Sequence, residues 1–128
     1  MPHSAVTLLA IIELGGYPDF AGLYKQQGYK VVTTDSVRKA VKLIRRHQPA
    51  VIVSEFNFQS DFRDRTSSLE TVLSCAQGVA DAKMIVFYEQ ETRQQYARFL
   101  ERFEVYASLP FPIDEQELQR VLVQALVE

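Results

Sequence analysis

The sequence is poor in the residues from which disulfides, zinc sites and nucleotide-binding loops are built. Its single cysteine, Cys75, excludes an internal disulfide and is typical of a reducing compartment, which favours a cytoplasmic location. The two histidines, His3 and His47, lie far apart and have no zinc-type spacing to other ligands. The glycine pair Gly15-Gly16 is too short for a dinucleotide or P-loop fingerprint. No Ser-His-Asp or Cys-His constellation is evident either, so the chain offers no obvious enzyme chemistry.

Long apolar runs and an excess of one charge are also missing. No run approaches the ~20 apolar residues of a membrane span, so we expect no membrane association. A formal net charge of −2 gives no overall attraction to nucleic acid, and we expect this domain to bind none. The length of 128 residues predicts a single domain, residues 1–128, with a sizeable core.

What the sequence does contain is a regular alternation of short apolar runs and amphipathic segments. Runs that predict strands begin near residues 6, 29, 50, 83 and 105, and each is followed by an apolar stripe at helical spacing. Asp35-Ser36 and Asp114 precede two of the helical segments and are typical N-caps. Alternating βα units of this kind imply an α/β domain with a parallel sheet and helices on both faces.

The central run, Ala50–Val53, is the most apolar and closes on a carboxylate, Glu55. Such a run predicts a strand buried on both faces. In open α/β sheets, ligands bind beyond the carboxyl ends of the strands. Glu55 is therefore the first candidate for a functional residue, and Glu13 follows the first strand in the same way.

Three stretches resemble the receiver domain of two-component response regulators (the CheY-like family). They are Gly28–Val32, Val51–Asn57 and Tyr106–Phe111, and the last ends in the Pro-Phe pair that leads into the final helix. The resemblance covers essentially the whole chain. It implies a flavodoxin-like (βα)5 three-layer sandwich, with a parallel five-stranded sheet of order 2-1-3-4-5.

A working receiver phosphorylates an Asp after the third strand and needs Mg²⁺, an acidic pair, a Ser or Thr and a Lys at neighbouring strand ends. On that alignment this chain departs at most of these places: Glu55 replaces the Asp, Tyr88 the Ser or Thr, and Leu109 the Lys. The acidic pair is Ile12-Glu13 or Glu13-Leu14, so a single carboxylate remains. The alignment also assigns Asn57 to this pocket. We therefore predict a degenerate pseudo-receiver with no Mg²⁺ or other cofactor and no catalytic residue.

The resemblance also assigns positions around the fifth strand. Tyr106 matches the aromatic switch residue, and we predict that its ring stays outward because Tyr88 fills the inner space. The Leu109-Pro110 bond matches a bond that is commonly cis in receivers, so we predict a cis peptide there. Receivers commonly use the surface of their fourth helix, fifth strand and fifth helix for partners. The residues predicted for that surface are Tyr96, Arg98, Arg102, Glu104 and Tyr106.

Several functions remain open from the sequence. The first is regulation in signal transduction through protein contacts that need no phosphorylation, with a protein partner or a second copy of the chain. The second is a small-ligand sensor, because Tyr88 and Leu109 would make the strand-end crevice more apolar. The third is an enzyme, either a residual phosphoacceptor at Glu55 or a flavin carrier. The basic second helix is interpreted as a solvated face, with a docking patch for an acidic partner as the alternative.

Overall fold

The computed structural model describes residues 6–12, 19–56, 66–79 and 82–127, and these ranges form five parallel strands and five α-helices. In chain order the elements are β1 (Val6–Ile11), α1 (Ala21–Gln26), β2 (Tyr29–Thr34), α2 (Val37–His47), β3 (Val51–Glu55), α3 (Thr66–Val79), β4 (Lys83–Tyr88), α4 (Arg93–Arg102), β5 (Ala107–Pro110) and α5 (Glu115–Val127). A single 3₁₀ turn, Gln90–Thr92, precedes α4. None of the helices in these ranges has the length and apolar character needed to cross a bilayer.

The sheet has the order β2-β1-β3-β4-β5, which confirms the predicted flavodoxin-like topology. All pairs are parallel, and β3 is central, with every one of its residues buried. Its apolar sequence is explained by this position, because helices cover both faces of a central parallel strand.

Two core clusters lie on opposite faces of the sheet. One joins alternate strand residues such as Leu9 and Ile52 to the buried sides of α2, α3 and α4. The other joins the intervening residues, such as Leu8 and Val53, to α1 and α5. We call these the α2/α3/α4 face and the α1/α5 face. Because successive strand residues point to opposite faces, a shift of one residue decides which cluster a side chain joins.

The predicted helix caps on α2 and α5 are confirmed. The Ser36 hydroxyl accepts a hydrogen bond from the Lys39 amide at 3.0 Å. Asp114 Oδ1 accepts from the amides of Gln116 and Glu117, at 2.9 and 3.4 Å. At its other end α2 stops with Gln48 in the left-handed region, at φ 46°, directly before Pro49. These local signals fix where α2 and α5 begin and where α2 ends.

Candidate functional site

The carboxyl ends of β3, β4 and β5 bring three residues to one level of the sheet. Glu55 pairs in register with Phe87, and Phe87 pairs with Leu109. Phe87 and Leu109 both belong to the α1/α5 cluster and are each 4% exposed. The sheet therefore sets a carboxylate, an aromatic ring and an aliphatic side chain side by side, at the edge where α/β proteins carry their sites.

A cavity of about 20 Å³ lies beside Glu55, between the strand ends and the start of α1. Its lining includes Glu55, Asp19, Phe20, Tyr24 and Phe87. Glu55 is only 5% exposed, so this strand-end carboxylate is buried. Phe20 and Phe87 meet edge to face, with ring centroids 6.0 Å apart, and narrow the space. The cavity has room for one water molecule but not for an organic ligand.

The described residues around this cavity fit a magnesium ion poorly. Mg²⁺ requires about six oxygen ligands in a near-octahedral arrangement and keeps several waters. Among the described residues, Glu55 and Asp19 alone bring carboxylates to the cavity lining, and Asp19 Oδ1 accepts a hydrogen bond from the Ala21 amide at 2.9 Å. Across the parts of the chain that the structure describes, no group of three potential metal ligands is present.

Asp19 and Tyr24 are the site residues that sequence reasoning missed. Asp19 directly follows Pro18 at the start of a helical pattern, so its type and position were a usable capping signal. Burial, together with the nearby Asp19 carboxylate, raises the pKa of the Tyr24 hydroxyl above its ordinary value of 10.0. The neutral phenol of Tyr24 therefore persists at any physiological pH.

Tyr88 lies on the other side of the sheet from the Glu55 cavity. Strand alternation turns its ring toward the α2/α3/α4 face, where it stacks on Tyr96 of α4 with centroids 4.7 Å apart and planes 22° apart. Phe87 is the β4 residue that lines the cavity. The structure thus brings Glu55 close to Phe87 and separates it from the Tyr88 ring, which the alignment assigns to the same pocket.

The stack continues along α4 and closes the space between that helix and the sheet. Phe99 stacks on Tyr96 at 6.0 Å and on Phe103 at 4.8 Å, while Phe56 tilts against Tyr96 at 5.0 Å. The Tyr96 hydroxyl also forms a hydrogen bond of 2.6 Å with Ser108 Oγ on β5. Burial raises the pKa of Tyr96 to about 12; the Ser108 hydrogen bond lowers it and nearby Tyr88 raises it. Tyr96 thereby joins β4, α4 and β5 in one packed unit.

Two predictions at β5 have different outcomes. The cis peptide bond of the described residues is Phe111-Pro112, so the assignment of a cis bond to Leu109-Pro110 is wrong. The reason is that β5 continues through Pro110, which pairs with Tyr88, and the Phe111 amide still donates to the Tyr88 carbonyl at 2.8 Å. Tyr106 is half-buried against the α1/α5 cluster, and Lys83 Nζ lies 5.9 Å from its ring centroid. Tyr88 packs against the opposite cluster, so it does not supply the expected reason for an outward ring. The outward position of Tyr106 and its role as a switch stay predictions.

Of the five residues predicted for a partner surface, the structure exposes three. Arg98, Arg102 and Glu104 are exposed, with the Arg102 guanidinium 5.2 Å from the centroid of the Phe103 ring. Tyr96 is 2% exposed, so its assignment to the surface is wrong. It shares the apolar stripe of α4 with Phe99, and that stripe faces the core. Two further candidates, Glu13 and Asn57, lie outside the described residues.

No family model matches the chain, and no curated protein matches it in sequence. Solved structures do match it in fold. The N-terminal receiver domain of a two-component response regulator from Bacteroides fragilis gives a TM-score of 0.74 at 20% identity, over 95% of this chain and 97% of that one. A response regulator receiver domain from Clostridium thermocellum gives 0.72 at 13% identity, over 95% and 94%.

A third similar structure is the receiver domain of a sensor histidine kinase from Pseudomonas aeruginosa, solved with magnesium coordinated in its active-site cleft. It gives a TM-score of 0.70 at 15% identity, over 98% of this chain and 100% of that one. The strand order and the two covered faces define the flavodoxin-like class of α/β proteins. Within that class, the chain has the fold of response-regulator receiver domains, which confirms the resemblance found in the sequence.

Proposed function

We propose that this chain is a receiver-like signalling domain that acts through protein–protein contacts without being phosphorylated. In this proposal the domain is not an enzyme, needs no Mg²⁺ and works in the cytoplasm. Its partner is another protein or a second copy of the chain. The observation that carries the proposal is the packing around the strand ends, where phosphoryl transfer would require an open, charged pocket.

Leu109 supplies the first support. A phosphorylated site needs a cation to pair with a phosphoryl oxygen, and on the alignment Leu109 stands in that place. It is 4% exposed within an apolar cluster, so it offers neither charge nor a hydrogen bond. The neighbouring cavity of about 20 Å³ also leaves no room for a phosphoryl group with a hydrated metal ion.

The aromatic packing of α4 supplies the second support. Signalling by phosphorylation requires an element with two arrangements of similar free energy. Here the Tyr88–Tyr96 stack packs α4 against β4, and the Tyr96–Ser108 hydrogen bond links α4 to β5. Such packing favours one arrangement of the surface formed by α4, β5 and α5, and therefore a permanently available partner surface.

Exposed apolar side chains favour that same surface. All the large apolar side chains found exposed in the described residues belong to α4, to the segment after β5, or to α5. They are Leu100 (38%), Phe111 (37%), Val123 (45%) and Leu126 (39%). Arg98 and Arg102 add cations to one side of α4, at a spacing of i and i+4. Apolar residues bordered by arginines are typical of partner interfaces.

The test of the chemistry is an amide NMR titration with magnesium and then beryllium fluoride. We expect no saturable shifts at Glu13, Glu55, Tyr88 or Tyr106 at millimolar metal, because Leu109 and the small cavity leave no site. The matched control is Glu55→Gln, which removes the acceptor carboxylate and keeps its shape. Saturable shifts around Glu55 that disappear in Glu55→Gln would show that the pocket still works, and would overturn the proposal.

The test of the surface is sedimentation velocity from micromolar to millimolar protein. If the partner is a second copy, the wild-type chain should associate and Arg98→Glu/Arg102→Glu should weaken the association. The charge-matched control is Arg38→Glu/Arg45→Glu on α2, which changes the net charge equally at another place. Equal effects of the two double variants would point to general electrostatics and away from this surface.

The alternatives receive less support from the structure. A sensor that uses the crevice at the ends of β3, β4 and β5 needs an enclosed pocket of roughly 300 Å³ or more there. The cavity beside Glu55 is far smaller, at about 20 Å³. A residual phosphoacceptor at Glu55 would have to expose a carboxylate that is 5% accessible. A colourless preparation and an unchanged mass after treatment with a phosphodonor are the expected results for a chain that carries neither flavin nor a phosphoryl group.

A further inference from the structure

A second surface, distant in the chain from α4 and α5, lies along helix α2. This helix carries five cations within its eleven residues, while the whole chain has a net charge of −2. They are Arg38, Lys39, Lys42, Arg45 and Arg46. Their number alone is compatible with a solvated helix face. Their arrangement around a groove is what distinguishes three of them from the other two.

The groove runs between α2 and the carboxyl ends of β1 and β2, with a volume of about 730 Å³. Lys39, Lys42 and Arg46 line it, whereas Arg38 and Arg45 do not. The hydroxyl residues Thr33 and Thr34 form the opposite wall, at the end of the edge strand of the sheet. We call this the α2 groove.

Little within the described chain neutralises these cations. Lys39 Nζ lies 3.9 Å from Asp35 Oδ1, and the two side chains are 70% and 77% exposed. An exposed pair at that distance contributes little and is readily exchanged for another partner. No ion pair to Lys42 or Arg46 is found among the described residues. Of the described residues that line the groove, three are cations and one, the weakly paired Asp35, is a carboxylate.

The dimensions of the groove favour an extended peptide. Lys42 and Arg46 are one helical turn apart, which is about 6 Å along the helix axis. Alternate side chains of an extended chain lie about 6.7 Å apart on one face. Two acidic side chains at positions i and i+2 of such a chain would therefore match the two cations. Ile12 and Leu43 add apolar surface to the lining, suited to the methylene groups of a glutamate.

Other classes of ligand fit less well. Among the described residues that line the α2 groove none is aromatic, so nucleic-acid bases would find no ring there on which to stack. A small molecule that binds well is usually enclosed over most of its surface, whereas this groove lies open along the helix. An extended acidic segment needs only one face covered, and it can lie alongside an exposed sheet edge.

We propose that the α2 groove binds an extended acidic segment of a protein partner. Lys42 and Arg46 contact its carboxylates, and Lys39 exchanges Asp35 for a third. The site is separate from the α4, β5 and α5 surface and does not depend on whether the strand-end pocket binds a metal. The domain would then hold two proteins at once, or one protein at two places.

The experiment titrates the protein into a fluorescein-labelled peptide of alternating glutamate and serine at physiological ionic strength. The fluorescence anisotropy of the peptide measures binding. We expect saturable binding that Arg46→Glu weakens by about tenfold, the equivalent of ~1.4 kcal/mol for a lost and reversed charge pair. Arg45→Glu is the matched control, because it makes the same charge change at the adjacent residue, outside the groove. We expect it to change binding less than about twofold. Both side chains are exposed, and circular dichroism should show both variants folded.

Two results would overturn the proposal. One is an equal loss in Arg45→Glu and Arg46→Glu, which would indicate attraction by the whole helix. The other is groove-dependent binding of pyrophosphate or single-stranded DNA without binding of the peptide. Amide shifts at Thr33, Thr34 and Leu43 on addition of the peptide would support the site directly. Arg98→Glu/Arg102→Glu should leave peptide binding unchanged, so this test and that of the proposed function can fail separately.

Discussion

Tyr96, which the resemblance placed on the partner surface, links three elements near the strand ends. Its ring lies between Tyr88 and Phe99, and its hydroxyl reaches across to Ser108 on β5. A buried phenol of this kind contributes apolar area through the ring and specificity through the hydroxyl. At the residue scale, the hydrogen bond to Ser108 is a direct polar link between α4 and β5.

We predict that Tyr96→Phe lowers the free energy of unfolding by about 1 kcal/mol, since it removes one hydrogen bond and keeps the aromatic stack. Ser108→Ala should cost a similar amount, and the double variant little more than either single one. Urea denaturation of the four proteins in a double-mutant cycle measures the coupling. Additive effects would mean that the two hydroxyls contribute independently, and the link between α4 and β5 would then be packing alone.

The stability of helix α2 depends strongly on interactions at its two ends. Only Ala40 and Ile44 are fully buried, so burial stabilises a small part of its eleven residues. Like charges crowd the exposed side and disfavour the helix. Against this, the Ser36 cap satisfies one amide of the first turn, and the basic residues Arg45 and Arg46 lie in the last turn, where the helix dipole favours them.

At the scale of this element, Ser36→Ala should lower the free energy of unfolding by about 1 kcal/mol. Ser36→Asp is the matched comparison, because a carboxylate can accept from the Lys39 amide and also suits the helix N-terminus. We expect Ser36→Asp to equal or exceed the wild type in urea denaturation. If alanine and aspartate behaved alike, the cap would not stabilise α2, and the positions of Lys39 and Lys42 would have to be fixed by packing of Leu43 and Ile44.

The strands and helices could be predicted from local sequence patterns. The face of the sheet on which a given side chain lies could not be predicted in every case. Apolar runs identified β3, and cap residues identified the starts of α2 and α5, because these signals lie within a few residues of the element. Tyr88 was assigned to the Glu55 pocket because alignment fixes position along a strand to within about one residue. One residue is also the step that reverses the face of a side chain.

Other site residues depended on contacts that no local pattern carries. Asp19 and Glu55 line one cavity although they lie far apart in the sequence, and the raised pKa of Tyr24 depends on its burial in the folded chain. The cis bond lies at Phe111-Pro112, two residues beyond the predicted one and after the last β5 residue that pairs with β4. Tyr96 shows the opposite case: its helical spacing with Phe99 was a local signal of burial, yet the resemblance placed it on the partner surface, and that prediction was wrong.

At the scale of the whole molecule, buried phenols on both faces of the sheet bind the helices to it. Tyr96 does so on the α2/α3/α4 face. On the α1/α5 face, Tyr29 of β2 donates a hydrogen bond of 2.7 Å to the Leu122 carbonyl of α5. Burial raises the pKa of Tyr29 from 10.0 to about 12, with a smaller contribution from Tyr106. The folded chain therefore keeps these phenols protonated at a pH where the unfolded chain ionises its own.

This difference predicts a stability that falls on the alkaline side. Below pH 10 these phenols are neutral in both the folded and the unfolded chain, and they give no pH dependence. Between pH 10 and about 12 only the unfolded chain releases their protons, so the free energy of unfolding decreases as the pH rises. Each phenol contributes at most ~1.4 kcal/mol per pH unit in this interval.

Urea denaturation midpoints measured between pH 10 and about 12 give the slope of stability against pH. The proteins to compare are the wild type, Tyr29→Phe and Tyr96→Phe. Each variant should lose stability at neutral pH and show a shallower alkaline decline, because it has one fewer phenol to ionise. Parallel slopes in all three proteins would mean that lysine deprotonation and the growing negative charge, and not these tyrosines, control alkaline unfolding.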